Sequence, residues 1–506
     1  MSSLLSHIYS AGLIGIDAYL IDVELHISLG LPTWNTVGLP ESAVKESKDR
    51  VISAVHTCEY EFPYRKITIN LAPADIKKEG TAYDLPIAIG LLSAAGLLPQ
   101  EVARSYLIVG ELSLTGKVRK IRGALSIALL ARDLNMKGVI VPAENYGEAS
   151  VVEGIEVLGA QNLPQVVEFL TLGTPIPIPE IKRKKQKAKE SESLNLAEVR
   201  GQAYAKRALE IAAAGFHNVL LQGPPGTGKT MLASRLASIL PEMSFEESLT
   251  TTKIYSLMGL TSKDTSLVKQ RPFRSPHHTI SDAGLIGGGS HPKPGEVSLA
   301  HNGVLFLDEL TEFHRNVLES LRQPLESGKV TIARASQSIT YPARFLLAAA
   351  MNPCPCGHYG NPQGQCHCTV HQLRKYQTKI SGPLLDRIDL RVEVPSVTYE
   401  ELTASKNEED SELVRMRVTA SQQRQEARLK EHGLRFNSQM GPRRIKETCK
   451  LDESGQKILE TAMKKWQLSA RAFDRTLRVA RTIADLKGEE VISSSSVTEA
   501  VQYRLG

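Results

Sequence analysis

Gly223-Pro224-Pro225-Gly226-Thr227-Gly228-Lys229-Thr230 follows the apolar run Val219-Leu220-Leu221 and leads into helical spacing over 231–240. Strand, glycine loop and helix, in that order, is the setting in which G-x-x-x-x-G-K-T holds phosphate. The glycines let backbone N–H groups curl inward around an anion, a concavity that larger side chains would obstruct. Lys229 then reaches the β- and γ-phosphates of ATP, and the Thr230 hydroxyl holds Mg²⁺. A glycine turn that merely joined two elements would not need all of these positions.

Outward from the loop, Gly303-Val304-Leu305-Phe306-Leu307-Asp308-Glu309 puts four apolar residues before two acids. Such a run is a strand buried on both faces, with the acids at its carboxyl end, where open α/β sheets build ligand sites. Asp308 there helps hold Mg²⁺, and Glu309 polarises the attacking water. A strand over 344–351 ends at Asn352, whose amide fits a sensor of the γ-phosphate. Ser381-Gly382-Pro383-Leu384-Leu385-Asp386-Arg387-Ile388-Asp389 precedes a further strand over 390–394. In this order the four elements resemble the signature of AAA+ ATPases over about 200–395. The resemblance implies that Arg387 is an arginine finger reaching a neighbouring subunit's ATP, which requires a ring with head-to-tail contacts.

Two insertions resemble those of the magnesium chelatase motor subunit and of replicative MCM helicases. One begins at Arg271-Pro272-Phe273-Arg274-Ser275-Pro276-His277-His278; the other is a predicted hairpin over 328–335 and 338–342. In helicases of that clade such loops grip DNA, which makes Arg271, Arg274, His277, Lys329 and Arg334 candidates for phosphate contacts. Structural loops between subunits are the alternative.

Cys354, Cys356, Cys366 and Cys368 crowd into fifteen residues, while Cys58 and Cys449 stand alone. Four thiolates suit a structural, tetrahedral Zn²⁺, although C-x-C is tighter than the usual C-x-x-C, and His358, His367 or His371 could substitute. Catalysis by zinc is not expected, since Glu309 and Arg387 already account for the chemistry.

Residues 1–172 read as mixed α/β, with strands over 66–71, 106–109 and 138–141 and helices over 85–97 and 123–134. Pro40 marks a further helix start, with Val44, Val51, Ile52 and Val55 as its buried stripe. Lys78-Glu79-Gly80-Thr81-Ala82-Tyr83-Asp84-Leu85 and the run from Val109 to Val118 resemble the Lon protease domain, a ribosomal-S5-like fold. Ala82 and Leu125 fall where that family has its Ser–Lys dyad, so the resemblance implies a fold kept and a protease lost. The stretch 173–195 alternates proline with isoleucine and then carries Lys182-Arg183-Lys184-Lys185-Gln186-Lys187. It reads as a linker whose basic block could instead clamp nucleic acid.

The ATPase core is expected over 196–395, with the cysteine insertion at 354–368, and an α-helical lid over 396–506. Amphipathic spacing at 458–466 and 473–486 and a charged helix at 412–431 support the lid. Its resemblance to chelatase and MCM lids implies a second sensor arginine at Arg471, with Arg475 and Arg478 close by. Lys plus Arg exceed Asp plus Glu by 61 to 55, a mild surplus that permits a polyanion partner without demanding one. No apolar run approaches a membrane span and the start is no signal peptide, so a cytoplasmic protein is expected.

Taken whole, the order of domains resembles the bacterial YifB/ComM family across nearly all 506 residues. That resemblance implies a homo-hexameric, ATP-driven motor on single-stranded or branched DNA, promoting branch migration while transforming DNA is integrated by recombination. The alternatives are a chelatase-type metal-insertion motor, an ATP-dependent protease or chaperone, and a non-enzymatic scaffold. Residue chemistry alone supports ATP hydrolysis by a ring and only suggests DNA.

Overall fold

The computed structural model describes residues 4–179, 194–261, 266–289, 292–333, 338–360, 365–400 and 408–505. The basic block at 182–187 and Arg334 lie outside these residues. The chain forms two compact units, one of residues 1–186 with 245–268 and one of residues 187–244 with 269–506.

In the first unit, β1 (Leu5–Ile14), β2 (Asp17–Ser28), β3 (Thr33–Val37) and β4 (Lys66–Ala72) form a sheet in the order β1-β2-β4-β3. Three strands, β5 (Tyr106–Ile108), β6 (Gly138–Pro142) and β7 (Glu156–Ala160), pair in parallel as a second sheet, the first two buried throughout. Helices α1 (Ser47–Thr57), α2 (Asp84–Ala94) and α3 (Ala124–Asp133) pack around them. The stripe expected after Pro40 is Val44, Val51, Ala54 and Val55, with Ile52 only half-buried. Helix α2 is apolar nearly all round because it is buried nearly all round. Its first residue, Asp84, is fully buried and receives Arg50 Nε at 2.6 Å and the Leu112 N–H at 3.2 Å. Burial pushes the Asp84 carboxyl up to about 6 against the pull of Arg50.

The chain leaves the second unit after Ser244 to give the first unit the helix Phe245–Leu257, and re-enters at Lys269. Ser256 Oγ accepts the Gly123 N–H at 3.0 Å, Lys253 pairs with Asp17 at 3.0 Å, and Leu249 packs on the cluster around α3.

The second unit is built on an all-parallel sheet of β8 (Val219–Gln222), β9 (Phe273–Arg274), β10 (Val304–Leu307), β11 (Leu346–Met351) and β12 (Leu390–Glu393). Its order is β9-β10-β11-β8-β12. The four residues of β10 are all buried, as expected for a strand covered on both faces. Lys329–Ala333 and Ser338–Pro342 pair as the predicted antiparallel hairpin, Lys329 opposite Pro342. Helices α4 (Ala203–Gly215) and α5 (Lys229–Ile239) flank β8. The carboxy-terminal region is helical: α6 (Ser411–Leu429), α7 (Glu453–Trp466), α8 (Ala470–Lys487) and α9 (Ser494–Leu505). Gln422 and Gln425 of α6 donate to the Ala213 and Ala214 carbonyls at 2.9 Å each, satisfying the end of α4. Among the described residues no helix is long and apolar enough to cross a membrane.

Candidate nucleotide site

The glycine loop turns from the end of β8 into α5 with Gly226 and Gly228 at positive φ, the backbone form that aims N–H groups into one concavity. Gly223 is required for a different reason: a Cβ there would meet the Val394 carbonyl oxygen at 2.1 Å. Lys229 is buried, and its ammonium donates to the carbonyls of Gly223 and Pro224 at 2.7 Å each and to Asn352 Oδ1 at 3.2 Å. Burial holds its pKa below the usual lysine range, with the Asp308 charge pulling the other way. The exposed Thr230 hydroxyl donates to Asp308 Oδ2 at 2.6 Å, so the two expected Mg²⁺ ligands are already adjacent. Glu309 is exposed, sits in a left-handed backbone conformation at φ 51° and donates its own N–H to Asp308 Oδ1 at 2.9 Å. Lys229 and Thr230 at the start of α5 thus converge with Asp308 and Glu309 after β10 and Asn352 after β11.

A cavity of about 800 Å³ opens beside Gly223 and Pro224, walled by Gln202, Tyr204, Pro353, Tyr359, Val394 and Gln502. A second, of about 400 Å³, is lined by Glu309, Asn352, Pro355, Lys375 and Tyr376 among others. The first is of the size that takes a drug-sized ligand.

Arg387 lies elsewhere. It precedes β12, and its carbonyl accepts from Asn218 at the start of β8, whereas the glycine loop follows the end of β8. Four residues of strand separate the two edges, roughly 13 Å at the rise of an extended chain. Its guanidinium is held by Glu326 and by the Pro383 carbonyl. From α8, Arg475 comes within 3.8 Å of Asp389 on this same edge, and Arg471 is exposed one turn earlier. Burial acts to raise the Asp389 pKa, but the His217 bond and the charges of Arg475 and Arg478 outweigh it and hold it below the ordinary value.

The four clustered thiols are free and their sulfurs lie within 4.8 Å of one another. Cys354 Sγ is 3.8 Å from Cys366 and 3.3 Å from Cys356, and Cys356 is 3.7 Å from Cys366. Tetrahedral zinc with bonds of about 2.3 Å separates its sulfurs by about 3.8 Å, so the donor set fits that ion. The His358 backbone N–H, then the Cys354 thiol, lower the Cys356 pKa to about 6. Despite a backbone bond at Cys356 that favours its thiolate, desolvation and then the other three thiols push the Cys368 thiol up to about 12.

Three family models match the chain. Residues 195–402 match magnesium chelatase, subunit ChlI; residues 23–145 match subunit ChlI of Mg-chelatase; and residues 408–504 match the C-terminal part of magnesium chelatase subunit ChlI. The competence protein ComM of Haemophilus influenzae is 44% identical over 503 residues, covering 99% of this chain and 97% of the relative. YifB of Escherichia coli K12 is 46% identical over 505 residues, with 99% and 97% covered. The chain belongs to the YifB/ComM family. The magnesium-chelatase 38 kDa subunit of Rhodobacter capsulatus is similar over a shorter span, 28% identical across 30% of this chain and 48% of that one.

For a YifB/ComM member the structure adds residues that sequence reasoning missed. His278 Nδ1 lies 3.5 Å from Glu309 Oε2, close enough to pair with the acid when the imidazole is protonated. Its signal was the His277-His278 pair in the first insertion, where only His277 was singled out. The expected DNA contacts are narrowed. Arg271 is buried against the carbonyls of Pro241, Glu242 and Asn302, and Arg274 makes a two-pronged pair with Glu296 at 2.6 and 2.8 Å. Both guanidiniums are committed to the fold, while His277 and Lys329 are exposed. Ala82 and Leu125 sit in the same apolar cluster.

Proposed function

We propose that this chain hydrolyses ATP as one subunit of a homo-hexameric ring, and that the ring is a motor on single-stranded or branched DNA. One observation supports the ring: Arg387 lies at the opposite sheet edge from Lys229, as a residue that serves a neighbouring chain's phosphate site would. Lys229 orients the phosphates, Asn352 lines up the water and Glu309, braced by His278, takes its proton. Mg²⁺ held by Thr230 and Asp308 would neutralise charge on the transferred phosphoryl group. Arg471 is assigned as the second sensor, one turn before Arg475, which reaches Asp389.

The DNA substrate rests on similarity to a competence protein and on the exposed His277 and Lys329. Branch migration during recombination of incoming DNA is the activity that suits such a motor. The first unit, whose apolar Ala82 and Leu125 replace a Ser–Lys pair, serves as a Lon-like but non-proteolytic module. The four thiols hold structural Zn²⁺.

ATPase rates with and without single-stranded and branched DNA test this reading. Stimulation, and binding that weakens with salt, support a DNA motor. Mixing Lys229→Ala with Arg387→Ala subunits tests sharing: rings containing both restore sites in which an intact loop meets an intact arginine. Activity no higher than either variant alone overturns the shared site. A chelatase-type metal-insertion motor is the second reading, favoured by the match over 195–402.

A further inference from the structure

The cysteine loop is built into both sides of the nucleotide site. It begins two residues after Asn352, which is bonded to Lys229. Within it, the Tyr359 N–H donates to Cys354 Sγ at 3.3 Å and the Gly357 N–H to the Cys354 carbonyl at 3.0 Å, so the buried Cys354 organises the turn. Gly357 is at φ +82°, and a Cβ there would stand 2.6 Å from Pro225 Cδ of the phosphate loop. Beyond that contact, Tyr359 and Gly360 wall the 800 Å³ cavity beside Gly223. On the other flank Pro355 lines the cavity that holds Glu309 and Asn352.

From this geometry we infer that the thiol-bound metal is a determinant of nucleotide affinity: it fixes the turn that presents Tyr359 as a wall for the base of ATP. The inference rests on reading the four thiols as a zinc site. Tyr359 is half exposed, with its ring available to a planar base, and a base–aromatic contact is of the size that sets affinity. Four thiolates on one dication lock the turn, whereas four free thiols leave Cys354 alone to do so. The phosphates, held by backbone N–H groups and Lys229, do not touch this wall.

The test uses the full chain. Zinc is counted by mass spectrometry of the purified protein, and binding of a fluorescent ATP is measured before and after chelation and in Cys366→Ser/Cys368→Ser. Inorganic tripolyphosphate, which has no base, serves as competitor throughout. Tyr359→Ala leaves the thiols intact and removes the wall directly. The expected result is about one zinc per chain, and ATP affinity weakened on the order of ten-fold by chelation and by Tyr359→Ala, the size of one lost aromatic contact. Tripolyphosphate affinity stays within about two-fold, well inside the decade that one such contact is worth. Absence of zinc sinks the metal reading itself. Zinc present, with ATP affinity indifferent to its removal and to Tyr359→Ala, overturns the coupling alone. A cysteine variant that unfolds leaves chelation and Tyr359→Ala to decide.

Discussion

Lys229→Met separates what the lysine does for the fold from what it does for phosphate. The ammonium is buried, so it carries a desolvation cost of several kcal/mol. Its two 2.7 Å bonds to the Gly223 and Pro224 carbonyls and one to Asn352 offset that cost, at about 1.5–3 kcal/mol per charged bond. Methionine fills a similar volume without the charge, and the two carbonyls it abandons belong to Gly223 and Pro224, both of which line a cavity. The nucleotide-free variant should therefore unfold within about 1 kcal/mol of the parent, and on either side of it. Ligand stabilisation should behave oppositely. At about 100 times its dissociation constant, ATP adds ~2.7 kcal/mol to the parent. At roughly 2 °C per kcal/mol that is a rise of about 5 °C. The variant should show none of it. Thermal unfolding with and without MgATP reads both quantities. A free-state loss beyond ~2 kcal/mol would make Lys229 a structural residue, and a retained ATP shift would remove it from the phosphate site.

Glu309→Gln should bind ATP as the parent does and lose hydrolysis by about 10²–10⁴-fold in steady-state assays, the span of a lost general base. Arg50→Met strands the buried Asp84 and should destabilise the first unit by about 3–5 kcal/mol in urea melts. Because the folded Asp84 pKa stands near 6, above the ordinary 3.8, protonated Asp84 favours the fold. Stability from this group falls as pH rises from about 4 through 6, so the Arg50→Met penalty should be larger at pH 8 than at pH 5. Asp389 has the opposite sign: its contribution is complete above the ordinary 3.8 and is lost as pH falls through its lower folded value. Asp389→Asn should flatten the acid limb of unfolding below pH 4, where the parent declines.

The phosphate site could be read from sequence because its parts are contiguous. An eight-residue loop between a strand and a helix states its own geometry, and four apolar residues before Asp308 can only end at a sheet edge. What escaped was long-range pairing. His278 meets Glu309, Arg274 meets Glu296 and Arg387 meets Glu326, each across tens of residues with no periodicity to mark it. The strand expected from Arg344 begins at Leu346, because the Arg344 N–H is taken by His301 Nδ1 at 3.0 Å. The β1–β2 ribbon leaves little sequence signal, because its buried faces include Ser6 and Ser10, which blur the alternation of apolar residues. The 245–257 helix reads as part of the ATPase from its place in the chain, and only contacts reveal that it packs with the first unit.

That helix also constrains how such a protein can be inherited. Two modules joined by one linker can be traded between genes by a single fusion event. Here the cut at residue 186 would discard the sheets and leave behind Leu249, Lys253 and Ser256, whose partners had gone. The excised piece would in turn lack the hydroxyl that meets the Gly123 N–H. The halves are stitched through each other's sequence, so a lineage that keeps the engine must keep, or rebuild, its companion.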